Sequence, residues 1–174
     1  MTSEQVERLI KSVQNAKTGG VTSIHKVTGV QIGVSGAAYG TGDVLGDQSP
    51  IEIKNFVRFA GGTALIQSLV INDLSNQSGA IDIVVFDSQP TATTFTDNSA
   101  LDIADADLTK VIAVVSITSA NYKAFADNCV AILSNIAFPL QSLATNSVWI
   151  CPVSRDTKTY VADELSFTFG VLND

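Results

Sequence analysis

Residues 165–171 read LSFTFGV, and their side chains alternate between apolar and polar or small types. Leu165, Phe167, Phe169 and Val171 fall on one side of this stretch, and the residues between them fall on the other. A period of two residues is typical of a β-strand with one buried face. The stretch therefore predicts a half-buried strand, and with it a fold built on β-sheets.

Similar runs recur along the chain, separated by turn-forming residues and without helical patterns between them. Strands are predicted near residues 27–34, 51–59, 65–71, 81–86, 111–117, 131–140, 148–153 and 165–172. About eight short strands favour an all-β, antiparallel β-sandwich of jelly-roll-like type over a parallel α/β sheet. The run 111–117 is apolar on both faces, which predicts a place in the middle of a sheet or beneath a loop or partner.

The first seventeen residues differ from the rest of the chain. Their apolar side chains recur at helical spacing, and Gly19–Gly20 follows them, which predicts a short amphipathic helix that ends at the glycine pair. Two placements are open, one on the helix's own domain and one as an arm docked on a neighbouring subunit. The chain is accordingly divided into an N-terminal helix or arm, 1–20, and a β-sandwich domain, 21–174.

Composition excludes several classes of partner. The chain has 174 residues, of which 45% are hydrophobic and 16% charged, and a formal net charge of −7. Because its basic residues do not cluster, we expect no nucleic-acid binding, and without a basic amphipathic helix or a long apolar run we expect no membrane association. No secretory signal is visible, so synthesis in the cytoplasm is expected, with Cys129 and Cys151 reduced and packed.

A group of glycines superficially suggests a phosphate-binding loop. Such a loop needs a strand before it and a helix after it, whereas here the next predicted element is a strand and no Walker-type lysine follows. We therefore interpret the group as a loop with positive-φ turns. Its members are Gly36, Gly40, Gly42 and Gly46.

Other residues suited to chemistry have structural interpretations that we favour. Asp102, Asp105 and Asp107 are the best metal candidates, yet they lack the EF-hand pattern, and a solvated loop or a one-turn helix cap is preferred. His25, the only histidine, is expected to be solvated or structural, and Trp149 is expected in a core or an interface. We predict no catalytic residue, no metal and no cofactor.

Three stretches carry a resemblance to a known family. Residues 39–46 (YGTGDVLG), 82–96 (DIVVFDSQPTATTFT) and 105–115 (DADLTKVIAVV) resemble motifs of small β-sandwich structural proteins of tailed bacteriophages. A closing strand between Asp163 and Asp174 resembles the same family, and the similarity covers about residues 21–174. These motifs are signatures of turns and strands, and none is catalytic.

The resemblance implies a non-enzymatic virion protein, made in the host cytoplasm and located on the capsid surface. Its leading function is that of a capsid decoration (cement) protein, which bridges copies of the major capsid protein as a homo-oligomer, preferably a trimer. The alternatives are a tail- or fibre-associated sandwich that recognises a host glycan and a carbohydrate-active enzyme with two facing carboxyl groups. The expected interface comprises one helix face and part of the loop after residue 86: Val6, Leu9, Ile10, Val13, Pro90, Thr91, Thr93 and Phe95.

Overall fold

The computed structural model describes Gln5, residues 21–27 and residues 37–173. These residues form two antiparallel sheets, which confirms the predicted all-β sandwich. The strands are β1 (Val21–Val27), β2 (Ile51–Ile53), β3 (Thr63–Asp73), β4 (Ile81–Phe86), β5 (Val111–Ile117), β6 (Tyr122–Ala124), β7 (Cys129–Gln141), β8 (Val148–Ser154) and β9 (Leu165–Asn173). A one-turn helix, α1 (Asp105–Leu108), precedes β5, and a 3₁₀ turn, Ser119–Asn121, follows it.

The two sheets are formed by nested antiparallel pairs. The five-stranded sheet has the order β1-β9-β3-β7-β6, and the four-stranded sheet has the order β2-β8-β4-β5. The strand β1 pairs with β9, β2 with β8, β3 with β7 and β4 with β5. Within the described residues, the pairs β2–β8, β3–β7 and β4–β5 nest in sequence inside the pair β1–β9, and β6 pairs with β7.

The main core lies between the inner faces of the two sheets. In β9 the alternation seen in the sequence places Leu165, Phe167, Phe169 and Val171 inward, each with no exposed surface. Inward residues of the facing sheet meet them, because alternate side chains of a strand point to opposite faces. These residues include Ile81, Ile83, Val85, Val115, Ile117, Val148 and Ile150.

The predicted strands are recovered with some changes. The bounds of β4 and β5 agree with prediction, but β2 ends at Ile53 rather than near Phe59. Asn55 has a left-handed φ of 56°, which ends the extended backbone, although the following Phe56 and Val57 are buried. The short β6 was not predicted. The strand β1 starts at Val21, so it shares only its last residue with the predicted range 27–34, whose other residues lie outside the described part of the chain.

Two further expectations concern single elements. Apart from Gln5, the predicted N-terminal helix lies outside the described residues. The suggestion that residues 111–117 lie in the middle of a sheet is wrong, since β5 pairs only with β4 among the described strands and forms an edge. The other suggestion, a position beneath a loop, holds for Val111, which packs against a second core described below. No described helix is long and apolar enough to cross a membrane.

Candidate functional site

The long connection between β4 and β5, residues 87–110, lies over the outer face of the four-stranded sheet. Outward side chains of that sheet are buried beneath it, and Phe86 and Cys151 have no exposed surface. Phe95 meets Phe86 edge to face, with ring centroids 6.2 Å apart and an interplanar angle of 88°. This second core contains Val44, Val84, Phe86, Trp149, Cys151 and Val153, with Phe95, Leu101, Ile103 and Val111 packed against it. The loop thus serves as a third layer of the sandwich.

Asp107 of α1 holds the first part of this loop. Its buried carboxylate accepts hydrogen bonds from the backbone N–H groups of Thr91 (3.2 Å), Ala92 (2.8 Å) and Thr93 (2.7 Å). The ammonium group of Lys110 donates to the same carboxylate at 2.8 Å and also to the carbonyl oxygen of Gln89. These contacts connect the two ends of the loop.

The electrostatic state of Asp107 follows from these contacts. Burial by itself would raise the pKa of the carboxyl group. The hydrogen bonds from Lys110, from the Thr93 side chain and from the backbone N–H groups of Thr93 and Ala92 act in the opposite direction and outweigh burial. Because hydrogen bonds to a carboxylate favour its charged form, the pKa of Asp107 lies well below its usual range. Asp107 is therefore an ionised anchor for the backbone of the loop.

The segment 39–46 covers the adjoining part of the same face. Asp97 of the loop accepts hydrogen bonds from the Tyr39 hydroxyl (2.7 Å) and from the backbone N–H of Gly46 (2.8 Å). Val44 forms isolated bridges to Asp97 and to Val153 of β8. Burial, followed by the neighbouring Asp97, raises the pKa of Tyr39 far above its usual value. Loop, segment and sheet are therefore joined through partly buried polar contacts as well as apolar packing.

The loop residues predicted to form an interface differ in their exposure to solvent. Thr91 is exposed, whereas Pro90 and Thr93 are buried and Phe95 is partly buried. The Thr93 hydroxyl accepts a hydrogen bond from the backbone N–H of Ala104 at 3.1 Å. Most of these side chains therefore contribute to the packing of their own domain, and their role in an interface stays a prediction. Val6, Leu9, Ile10 and Val13 lie outside the described residues.

The aspartate trio does not converge on a common point. Asp102 and Asp105 are exposed, while the Asp107 carboxylate is used by the loop backbone and Lys110. The expected one-turn helix is present and Asp102 lies exposed in the loop before it, but the expected cap is not found, since the N-cap is Ala104 and Asp105 and Asp107 lie within the helix. Within the described residues, no group of three or more His, Cys, Asp or Glu side chains could hold a metal ion.

Two members of the glycine group, His25 and Trp149 have the structural roles that were preferred, and Gly36 lies outside the described residues. Gly42 and Gly46 have φ angles of 101° and 90°, so the interpretation as positive-φ turns is confirmed for these two. His25 stacks on Phe56 with ring centroids 5.0 Å apart, and burial lowers the pKa of its imidazole. Trp149 is 7% exposed and lies in the second core.

Two features near the surface were not anticipated from the sequence. A depression of about 310 Å³ lies between α1, the loop and the four-stranded sheet. Its rim includes Leu108 and Val114, which are 56% and 53% exposed. A second depression, of about 420 Å³, lies beside the β6–β7 hairpin and includes Phe125 and Ile132, each 63% exposed. In the sequence, the signal for these two depressions was the presence of apolar residues at outward positions of β5 and β7.

A buried polar cluster at the end of β3 was also missed. The carboxylate of Asp73 has no exposed surface and accepts hydrogen bonds from the backbone N–H groups of Ser75 (3.0 Å) and Ser78 (2.9 Å). The Cys129 thiol donates to it at 3.4 Å, and burial raises the pKa of this thiol. An aspartate that caps the turn after a strand is a recognisable local signal. Cys129 and Cys151 are both buried free thiols, as expected.

Comparison with models of protein families finds no match to this chain, and comparison with curated protein sequences finds none either.

Proposed function

We propose that this protein is a non-enzymatic virion component, a decoration (cement) protein that binds the outer surface of a bacteriophage head. In this role it bridges copies of the major capsid protein and stabilises the expanded shell. Binding that favours the assembled shell stabilises it by mass action, and repetition around a symmetry axis adds avidity. A homotrimer at local threefold positions satisfies this symmetry.

The observation that carries the proposal is the mutual contact of the three stretches that resemble phage structural proteins. Asp107, in the third stretch, binds the backbone at Thr91–Thr93 of the second stretch. Val44, in the first stretch, packs in the same apolar cluster as Val84 and Phe86 of the second. Residues that carry the resemblance therefore build both the covering layer and the sheet face beneath it, so the likeness concerns architecture. This supports a structural role in place of a catalytic one.

The nested strand pairs support the finer description of the fold as jelly-roll-like. In a jelly roll, two antiparallel sheets are linked so that a long hairpin is rolled into a sandwich. The pairs β1–β9, β2–β8, β3–β7 and β4–β5 have this arrangement. Because the same scaffold carries many unrelated functions, this fold supports the proposal only together with the resemblance.

The contact surface that we favour on this side of the molecule surrounds the smaller depression. Leu108 and Val114 project there beside the partly buried Leu101 and Ile103. The exposed hydroxyl of Thr91 lies elsewhere in the same loop. Exposed apolar side chains around a depression suit a protein partner, because a contact there removes their apolar surface from water.

The proposal is tested by cosedimentation of the purified chain with expanded, undecorated capsids of the same virus. Isolated tails provide the comparison. Saturable binding to capsids, at a fixed ratio to the major capsid protein, is the expected result. Binding only to tails would instead support the alternative of a tail- or fibre-associated glycan-recognising sandwich, and binding to neither would contradict both.

A matched pair of variants examines the contact surface. Val114→Asp should weaken capsid binding at least tenfold, because it places a charge at the rim of the smaller depression. Val161→Asp is the control, since Val161 has the same exposed fraction, 53%, and is not part of that rim. Equal binding by the two variants would show that this surface is not the capsid contact. Whether the protein binds capsids at all is decided by the cosedimentation experiment.

A further inference from the structure

The outer faces of the two sheets are covered to different extents. On the four-stranded sheet the outward residues Phe86 and Cys151 have no exposed surface, because the loop 87–110 and the segment 39–46 lie over them. On the five-stranded sheet the outward residues Ile24 and Ile132 are 66% and 63% exposed. The described residues thus leave one face of the sandwich open to solvent although it bears large aliphatic side chains.

The strand register defines the composition of this open face. Four rows of outward residues cross it from strand to strand, and one of them contains Lys26, Thr168, Val70 and Ile132. None of the paired outward residues is acidic, and Lys26 and Lys123 lie on the two edge strands. The aliphatic members of the rows are Ile24, Leu65, Val70, Val130, Ile132 and Leu172. A face of this kind is suited to an amphipathic helix, which buries its apolar side against a sheet.

We propose that residues 1–17 of the same chain dock as a helix across this outer face of the five-stranded sheet. The point where the chain enters the sheet supports this choice. Val21, the first residue of β1, lies on the edge of this sheet, and only residues 18–20 separate it from the predicted helix. The pair Gly19–Gly20 allows the backbone to reverse direction there, because glycine adopts conformations that other residues avoid.

The dimensions of the helix and the face agree. The distance from Val21 on β1 to Ile132 on β7 has two components. Along the strands it is five residues, ~17 Å, and across the sheet it is three strand spacings, ~14 Å, which gives a diagonal of ~22 Å. A helix of residues 2–17 is ~24 Å long at ~1.5 Å per residue. Its C-terminal end would lie near Val21, and its first turns would lie over the far corner of the face. The depression of about 420 Å³ that includes Phe125 and Ile132 is at that corner.

The chemistry of the two surfaces is complementary. The apolar side of the predicted helix, formed by Val6, Leu9, Ile10 and Val13, would cover the aliphatic rows. Acidic Glu4 and Glu7 belong to the first two turns, which would lie towards the corner that contains Lys123. Of the two placements that the sequence leaves open, the geometry therefore favours packing on the helix's own domain. The inference concerns the isolated subunit and does not depend on the capsid proposal.

Disulfide trapping in the full-length chain tests this docking. The double variant Val6→Cys, Ile132→Cys should form an intramolecular disulfide on mild oxidation, seen as a monomer with a peptide linked between the two positions. The control Val6→Cys, Val114→Cys carries its second thiol at a residue of comparable exposure on the other sheet. We expect at least tenfold more intramolecular product from the first pair. The buried native thiols of Cys129 and Cys151 should not compete.

Several outcomes would overturn the inference. A disulfide-linked dimer would assign the face to a second copy of the chain, and equal yields from the two pairs would show no preference for this face. A second measurement guards against a misfolded variant. In a folded chain that carries Ile132→Cys, adding Leu9→Asp should raise the rate of thiol labelling at position 132 at least tenfold. An unchanged labelling rate would also contradict docking.

Discussion

Truncation of Phe95 to alanine tests whether the loop 87–110 is a packed layer. The Phe95 ring is partly buried against the second core and contacts Phe86 edge to face. A fully covered phenylalanine buries ~150–250 Å², so a ring that is about two-thirds covered corresponds to at least ~100 Å² and, at ~25 cal/mol per Å², to ~2.5 kcal/mol. The aromatic contact adds ~0.5–1 kcal/mol. The expected loss of unfolding free energy for Phe95→Ala is therefore ~3 kcal/mol.

Equilibrium urea unfolding measures this loss, and thermal unfolding should show a fall in Tm of ~6–12 °C for a chain of this size. The neighbouring Thr94 is exposed, so Thr94→Ala is the control and should stay within ~0.5 kcal/mol of the parent. Hydrogen exchange should also become faster in the loop of the Phe95 variant, including the amides of Thr91–Thr93 that bind Asp107. A loss below ~1 kcal/mol, against the ~3 kcal/mol expected from burial, would refute the view that this loop is a third layer.

Three further predictions follow from individual contacts. Asp107→Asn should destabilise the protein at neutral pH, because it removes the charge that Lys110 and three backbone N–H groups bind. Since the folded-state pKa of Asp107 is lowered, its stabilising contribution is present above the unfolded-state pKa of ~3.9 and is lost as the pH falls below it. The difference in urea midpoint between parent and variant should accordingly shrink on acidification, and a constant difference would contradict this assignment. Gly42→Ala should lower the free energy of unfolding by ~1 kcal/mol, because alanine is strained at the φ of +101° found there. The added Cβ would meet nothing within 4 Å, so no steric clash contributes. An unchanged thermal midpoint would count against the positive-φ turn. Burial raises the pKa of Cys151 to about 12, so a thiol reagent at neutral pH should label it only after unfolding, and rapid labelling of the native protein would be inconsistent with the second core.

The sequence predicted strands best where their alternation was bounded by turn residues. The bounds of β4 and β5 were correct, whereas β2 was predicted too long because Phe56 and Val57 continue its apolar pattern after the backbone has turned at Asn55. These two residues reach the core from a turn, so burial alone does not define a strand. The strand β6 has only three residues, too few for a period of two to be recognised.

The candidate site was less accessible to sequence reasoning. The loop after residue 86 was expected to bind a partner because long polar loops often do. Its apolar residues Phe95, Leu101 and Ile103 pack on the outer face of its own sheet, and their spacing among polar residues is the one signal of this role. Partner binding by the loop stays a prediction. The aspartate trio was correctly judged a poor metal site, but the contact of Asp107 with residues 91–93 joins positions that are 14 to 16 residues apart.

The sequence by itself determined the all-β class and the inward face of strands such as β9, because alternation is a local property of an extended backbone. It also determined the positive-φ turns at Gly42 and Gly46, since glycine is the residue that adopts this conformation most readily. Only the tertiary structure decided the strand order, the third layer and the open face of the five-stranded sheet. These features depend on contacts between residues far apart in the chain, and the hydrophobic effect is non-directional, so an apolar side chain does not by itself specify which surface covers it.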